Sequence, residues 1–104
     1  MVARGEVWWS EDPDLGRRPV LVLARDSALP VLRRPLVAPL TTRIRSIPTE
    51  VALDQDDGLP QPCVVSIDNV QPVSIALLTE RISRLGSDRM AAVCEALRFA
   101  VDCV

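Results

Sequence analysis

The chain has 104 residues, 48% of them hydrophobic, with 12 basic and 14 acidic side chains and a formal net charge of −2. Every basic residue is an arginine, and the sequence holds no histidine, lysine or tyrosine. The usual neutral-pH proton shuttle and the usual Schiff-base nucleophile are thereby excluded, and what remains is a permanently charged planar fork suited to phosphate and carboxylate.

A chain of this length forms one domain, residues 1–104, and buries roughly two-thirds of its unfolded surface. Aromatic residues make up only 3% of it, so Val, Leu, Ile and Ala must fill the core. No apolar run approaches the roughly 20 residues of a membrane helix, and Met1–Glu6 carries no signal-peptide core. A soluble, cytoplasmic protein without a membrane partner is expected. Cys63, Cys94 and Cys103 are odd in number and lack CxxC spacing, which points to reduced, packed thiols and no zinc site.

In chain order, Gly5–Ser10 reads as a strand and Glu11–Gly16 as a loop. Arg18–Ala24 is a β-branched strand whose Pro19 suits a strand start or an edge. A loop over Asp26–Arg33 leads to a strand over Arg34–Thr41, then to an arginine-bearing loop over Thr42–Pro48. Thr49–Leu53 alternates as a strand, Asp54–Pro62 is an acidic turn region, and Cys63–Asn69 is a strand extended or resumed to Val73. Ala76–Arg84 is expected as a short helix. After a break at Gly86, Ser87 is the expected N-cap, and Asp88 suits the dipole of the first turn. Met90, Val93, Cys94, Leu97, Val101 and Val104 then recur at helical spacing, giving an amphipathic helix packed on the sheet. Strands followed by a helix favour an α+β, mainly β fold: a strongly bent antiparallel sheet of five or six strands with one C-terminal helix.

Two acidic clusters, Glu11-Asp12-Pro13-Asp14 and Asp54-Gln55-Asp56-Asp57-Gly58, sit where turns are expected. The second starts like a calcium loop, but Val65 stands where that loop needs its glutamate. Both are read as solvated turns. Trp8 and Trp9 are adjacent on a strand and so face opposite sides. One packs in the core; the other is left to solvent, an interface or base stacking.

The remaining pattern is more specific. The chain opens Arg4-Gly5-Glu6-Val7-Trp8, continues with Gly16-x-Arg18-Pro19-Val20-Leu21-Val22, and ends a strand with Val37-Ala38-Pro39-Leu40-Thr41. Pro48-Thr49-Glu50-Val51 follows, then Val64–Val73 with its acid and amide, then Ile82–Leu97. Together these segments resemble the MazF/PemK/Kid family of toxin endoribonucleases over nearly the whole chain.

The resemblance implies an SH3-like barrel with a C-terminal helix, a homodimer, and a MazE-like antitoxin whose acidic extended tail covers the active groove. It implies cleavage of single-stranded RNA (mRNA or another class) at short sequence motifs, without a metal or other cofactor. The ribose 2′-OH attacks the adjacent phosphate, leaving a 2′,3′-cyclic phosphate and a 5′-OH end. By position, Arg18 and Thr41 match the family's catalytic pair, with Arg18 also proposed to protonate the leaving oxygen. Thr42, Arg43, Asp68 and Asn69 match substrate contacts, and Arg45 also lies along the expected RNA path. The short loop before Gly16 lacks the H-E-Q-like stretch of many relatives, and Ser66 stands where some carry arginine, so the general base is unassigned. The alternative is a non-enzymatic, gyrase-poisoning toxin of the same fold. Such toxins act through a terminal Trp-Gly-Ile, whereas this sequence reads Asp102-Cys103-Val104 there.

Overall fold

In the computed structural model, which describes residues 1–103, the strands are β1 (Glu6–Ser10), β2 (Arg18–Val22), β3 (Leu36–Thr41), β4 (Glu50–Leu53), β5 (Cys63–Ser66), β6 (Gln71–Pro72) and β7 (Leu78–Arg84). One helix, α1 (Ser87–Ala100), closes the chain. The sheet runs β4-β5-β3-β2-β1-β7, and β6 pairs with the first half of β3. All pairings are antiparallel.

The bend is built on β3. Along one side it pairs with β2, from Val37 to Pro39. Along its other side it pairs first with β6, at Leu36 and Val37, and then with β5, at Leu40 and Thr41. The strand therefore crosses from one part of the sheet to the next, and the 3-10 turn Ile67–Asn69 bridges β5 and β6 beside it.

Alternation sorts the side chains into two cores. Val7, Leu21, Ala38, Leu40, Val65, Val51 and Leu53 form one face, closed by Val93 and Ala96 of α1. Val20, Val22 and Val37 point the other way and pack with Val2, Leu29, Val73 and Leu78. The two tryptophans part as their adjacency requires. Trp8 leans on the second core, while Trp9 lies under the Arg17 guanidinium, 5.5 Å from ring centroid to Cζ. Glu6, nearly buried, accepts from Trp8 Nε1 at 3.0 Å and pairs with Arg81 at 3.0 Å.

Four local expectations are corrected. Ala76–Arg84 is not a helix: a 3-10 turn at Ile75–Leu77 leads into β7, whose pairing with β1 overrides the helix-forming Ala76-Leu77-Leu78 start. The strand expected over Cys63–Asn69 stops at Ser66, where the chain enters the 3-10 turn. The N-cap of α1 is Gly86, extended and without a side-chain cap bond, and Ser87 is already helical. Only Cys63 is buried; Cys94 and Cys103 are exposed, because Cys94 and Val101 fall on the outer flank of a helix that buries just Val93 and Ala96. Val104, expected on the apolar stripe, lies outside the described residues. Among the described residues no helix is long and apolar enough to cross a membrane.

Candidate active site

The register of β2 and β3 builds the site. Val20 pairs with Pro39, Leu21 with Ala38 and Val22 with Val37. Continuing the same register by two residues sets Arg18 opposite Thr41. Arg18 shares a face with Val20, and Thr41 shares it with Pro39 and Val37. The face that carries the second core at one end of the two strands thus turns polar at the other. Across the sheet, Glu50 of β4 pairs with Ser66 of β5, and both open onto the same side. Arg18, Thr41, Ser66 and Glu50 line one cleft of about 400 Å³. Arg43 and Arg45 from the following loop, and Asn69 and Gln71 from the β5–β6 connection, complete its walls.

Arg18 is half-buried, and its Nε is enclosed with no hydrogen-bond partner. It makes none of the ion pairs found among the described residues, nor do Arg43 and Arg45. A partly desolvated guanidinium without a counter-charge is costly, and an anion that accepts from its fork relieves that cost. Gly16 shapes the approach. Its φ of +79° lies in the left-handed region, and a Cβ there would stand 3.6 Å from Arg18 Nη2. That distance is ordinary contact, so what a side chain at this position would meet is backbone strain.

The Thr41 hydroxyl accepts the Arg43 N–H at 3.1 Å, which leaves its own O–H free to donate into the cleft. One oxygen of Glu50 accepts two backbone N–H groups, from Arg45 at 2.8 Å and Ser46 at 3.0 Å. Asn69 Nδ2 donates to Ser66 Oγ at 2.7 Å, and its side-chain oxygen is an acceptor beside it. The cleft therefore offers three cations against one carboxylate, ringed by hydroxyl and amide groups. It can hold a polyanion and contact the edges of unpaired bases.

Of the six residues singled out from sequence, the structure brings together Arg18, Thr41, Arg43 and Asn69. Thr42 points from the other flank of the strand end, into a small hollow with Pro19, Leu59 and Cys63. Asp68 is exposed on the 3-10 turn and accepts from Thr49 Oγ1 at 2.6 Å, outside the cleft wall. Glu50, Ser66 and Gln71 are cleft residues that the sequence reading did not select. The period-two spacing of Ser66 and Asp68 and the alternation of Thr49–Leu53 carried part of that signal; the register joining β3, β5 and β4 carried the rest. Among the described residues, no group of three or more His, Cys, Asp or Glu side chains is placed to hold a metal ion.

Comparison with known proteins adds an independent line. A model of the PemK-like, MazF-like toxins of type II toxin–antitoxin systems matches residues 3–101. The chain is 54% identical over 102 residues to the probable endoribonuclease MazF5 of Mycobacterium tuberculosis, covering 97% of this chain and 94% of that protein. It is 42% identical over 85 residues to the endoribonuclease MazF3 of the same species, covering 82% of each. Among solved structures, the M. tuberculosis toxin MazF-mt6 superposes with a TM-score of 0.86 at 37% identity, covering 93% of this chain and 96% of that one. A mycobacterial endoribonuclease in complex with its cognate antitoxin superposes with a TM-score of 0.89 at 25% identity, covering 100% and 98%.

Proposed function

The chain belongs to the PemK-like, MazF-like toxins of type II toxin–antitoxin systems, and from that membership we propose that the arginine cleft cuts single-stranded RNA. The observation that carries this reading is the unpaired guanidinium of Arg18 opposite the free hydroxyl of Thr41. In-line attack by the 2′-OH on the adjacent phosphorus forms one P–O bond and breaks the bond to the 5′-oxygen; the 2′-OH proton leaves to water, and the departing 5′-oxygen takes one up to end as a 5′-OH. Negative charge builds on the non-bridging oxygens during the attack. Arg18 and Thr41 donate to those oxygens, and preorganised donors of this kind stabilise the transition state more than the ground state. Because the nucleophile belongs to the substrate, no protein nucleophile is required, and Arg18 and Thr41 supply the charge stabilisation.

Arg43 and Arg45 hold the flanking phosphates. Asn69, with Ser66 and Gln71, contacts base edges. Thr42 and Asp68 meet the strand only where it leaves the cleft. The same positive, half-desolvated groove suits the acidic extended tail of a MazE-like antitoxin, which would occlude Arg18. We read the working protein as a cytoplasmic homodimer with the SH3-like barrel of its family.

The test is purified protein and single-stranded RNA in excess chelator, with both new ends mapped. Cleavage giving 2′,3′-cyclic phosphate and 5′-OH ends is expected. A requirement for magnesium, 3′-OH products, or gyrase poisoning without RNA cleavage would overturn the reading.

A further inference from the structure

The loop that carries Arg43 and Arg45 has an unusual support. Between Thr41 and Glu50, three N–H groups go to side chains rather than to a ladder: Arg43 to Thr41 Oγ1, and Arg45 and Ser46 to Glu50 Oε1. The loop also closes through the Glu50 N–H, which donates to the Ile47 carbonyl at 3.0 Å. Ser46 sits at φ 56°, a left-handed conformation that a serine adopts only where its surroundings hold it. Glu50 itself is fixed on β4, opposite Ser66. It forms none of the ion pairs found among the described residues, although it stands among three arginines.

We propose that Glu50 is the positioning residue of the RNA site: by capturing the Arg45 and Ser46 amides it fixes the loop so that Arg43 and Arg45 face the phosphates beside the scissile one. This rests on the cleft being the RNA site. The acceptor lone pairs of the carbonyl-like oxygen do the positioning, and the negative charge is incidental to it. Glutamine keeps such an oxygen; alanine removes it and frees two amides and a strained serine.

The experiment compares wild type, Glu50→Ala and Glu50→Gln on a single-stranded RNA oligonucleotide whose cut site has first been mapped with wild type. Glu50→Ala is expected to raise KM by about tenfold or more while kcat stays within about threefold, the signature of lost uniform binding. Its binding to the same oligonucleotide carrying a 2′-deoxyribose at the cut site should show a log K against log salt slope smaller by up to about 1.4, the share of two phosphate contacts on a single strand. Glu50→Gln should recover most of the lost kcat/KM. Amide hydrogen exchange at Arg45 and Ser46 should accelerate in Glu50→Ala and not in Glu50→Gln, with the remaining sheet amides unchanged. Unaltered exchange or an unaltered KM in Glu50→Ala overturns the inference. So does a Glu50→Gln variant as damaged in kcat as Glu50→Ala, with a shifted pH profile, which would make Glu50 a proton acceptor. Failure of the parent reading looks different: wild type itself does not cut the RNA, while the amide-exchange comparison still reports on the clamp.

Discussion

In the Asp54–Gly58 turn, the charges are bound up in holding structure; in the cleft, the charges of Arg18, Arg43 and Arg45 are left open. Asp54 accepts from the Asp56 N–H at 2.9 Å, and Asp57 accepts from the Asp54 N–H at 2.9 Å, a reciprocal capping box. Arg89 of α1 then donates to both Asp57 oxygens, at 3.1 and 3.2 Å. That hydrogen bond, with the negative charge behind it, pushes the Arg89 pKa above its already high ordinary value. Arg18 has no such partner, and its Nε is enclosed and unbonded. The same side chain occurs in two settings, and the difference is whether a carboxylate is bonded to it. Arg89 ties the helix to the Asp54–Gly58 turn; Arg18 is left open to an anion.

The contrast breaks most visibly at Arg18. Arg18→Ala should lower RNA cleavage by about 10²–10³-fold, the typical loss for one transition-state donor. Its melting temperature should hold or rise, since the residue removed is an uncompensated, half-buried charge. Removing only the hydroxyl comes next. Thr41→Val should cost on the order of 10²-fold in kcat, and Thr41→Ser should retain most activity, because the serine hydroxyl can still accept from Arg43 and donate outward. Initial rates on one RNA substrate check both.

Arg89→Ala should show the opposite pattern, losing stability while cleavage stays near wild type. It strands the nearly buried Asp57 carboxylate, whose side chain is 9% exposed against 38% for Arg89. After discounting for solvent screening, a loss of about 1 kcal/mol is expected, or roughly 4–8 °C in melting temperature for a domain of this size. Gly58→Ala weakens the same turn. With φ at +84° and a new Cβ 2.8 Å from Ser83 Oγ, it should cost at least about 1–2 kcal/mol. Thermal unfolding of both variants is the check.

The smallest effect concerns Cys63. Burial first, and Asp57 second, push its thiol above the ordinary value of 9.0. A folded-state pKa raised in this way gives stability that is fully present below pH 9 and is lost as the pH climbs above it. A thiol reagent at pH 8 should therefore titrate the exposed Cys94 and Cys103 in the native protein, and Cys63 only after unfolding.

Much of this contrast could be read before any coordinates. Gly16-x-Arg18-Pro19-Val20-Leu21-Val22 and the Pro39-Leu40-Thr41 strand end point to Arg18 and Thr41 through resemblance, and the structure brings the two into one cleft. The Asp54–Gly58 run reads as turn chemistry from residue type alone. What the sequence does not disclose is non-local. Glu50 and Ser66 reach the cleft only because the β4–β5 and β3–β5 registers place them there. The pairing of Arg89 with Asp57 joins residues 32 apart. Residues 78–84 become β7 because β1 offers an open edge, against the local helical preference of Ala76-Leu77-Leu78. The outward turn of Cys94 depends on how little of α1 the sheet can cover.

An RNA oligonucleotide with a single 2′-deoxyribose at the mapped cut site separates binding from cutting. Wild type is expected to bind it and leave it whole, and Arg18→Ala to bind it more weakly. Cutting at that position would rule out the substrate's hydroxyl as nucleophile, and binding unaffected by the loss of Arg18 would rule out Arg18 as the open charge that receives the phosphate.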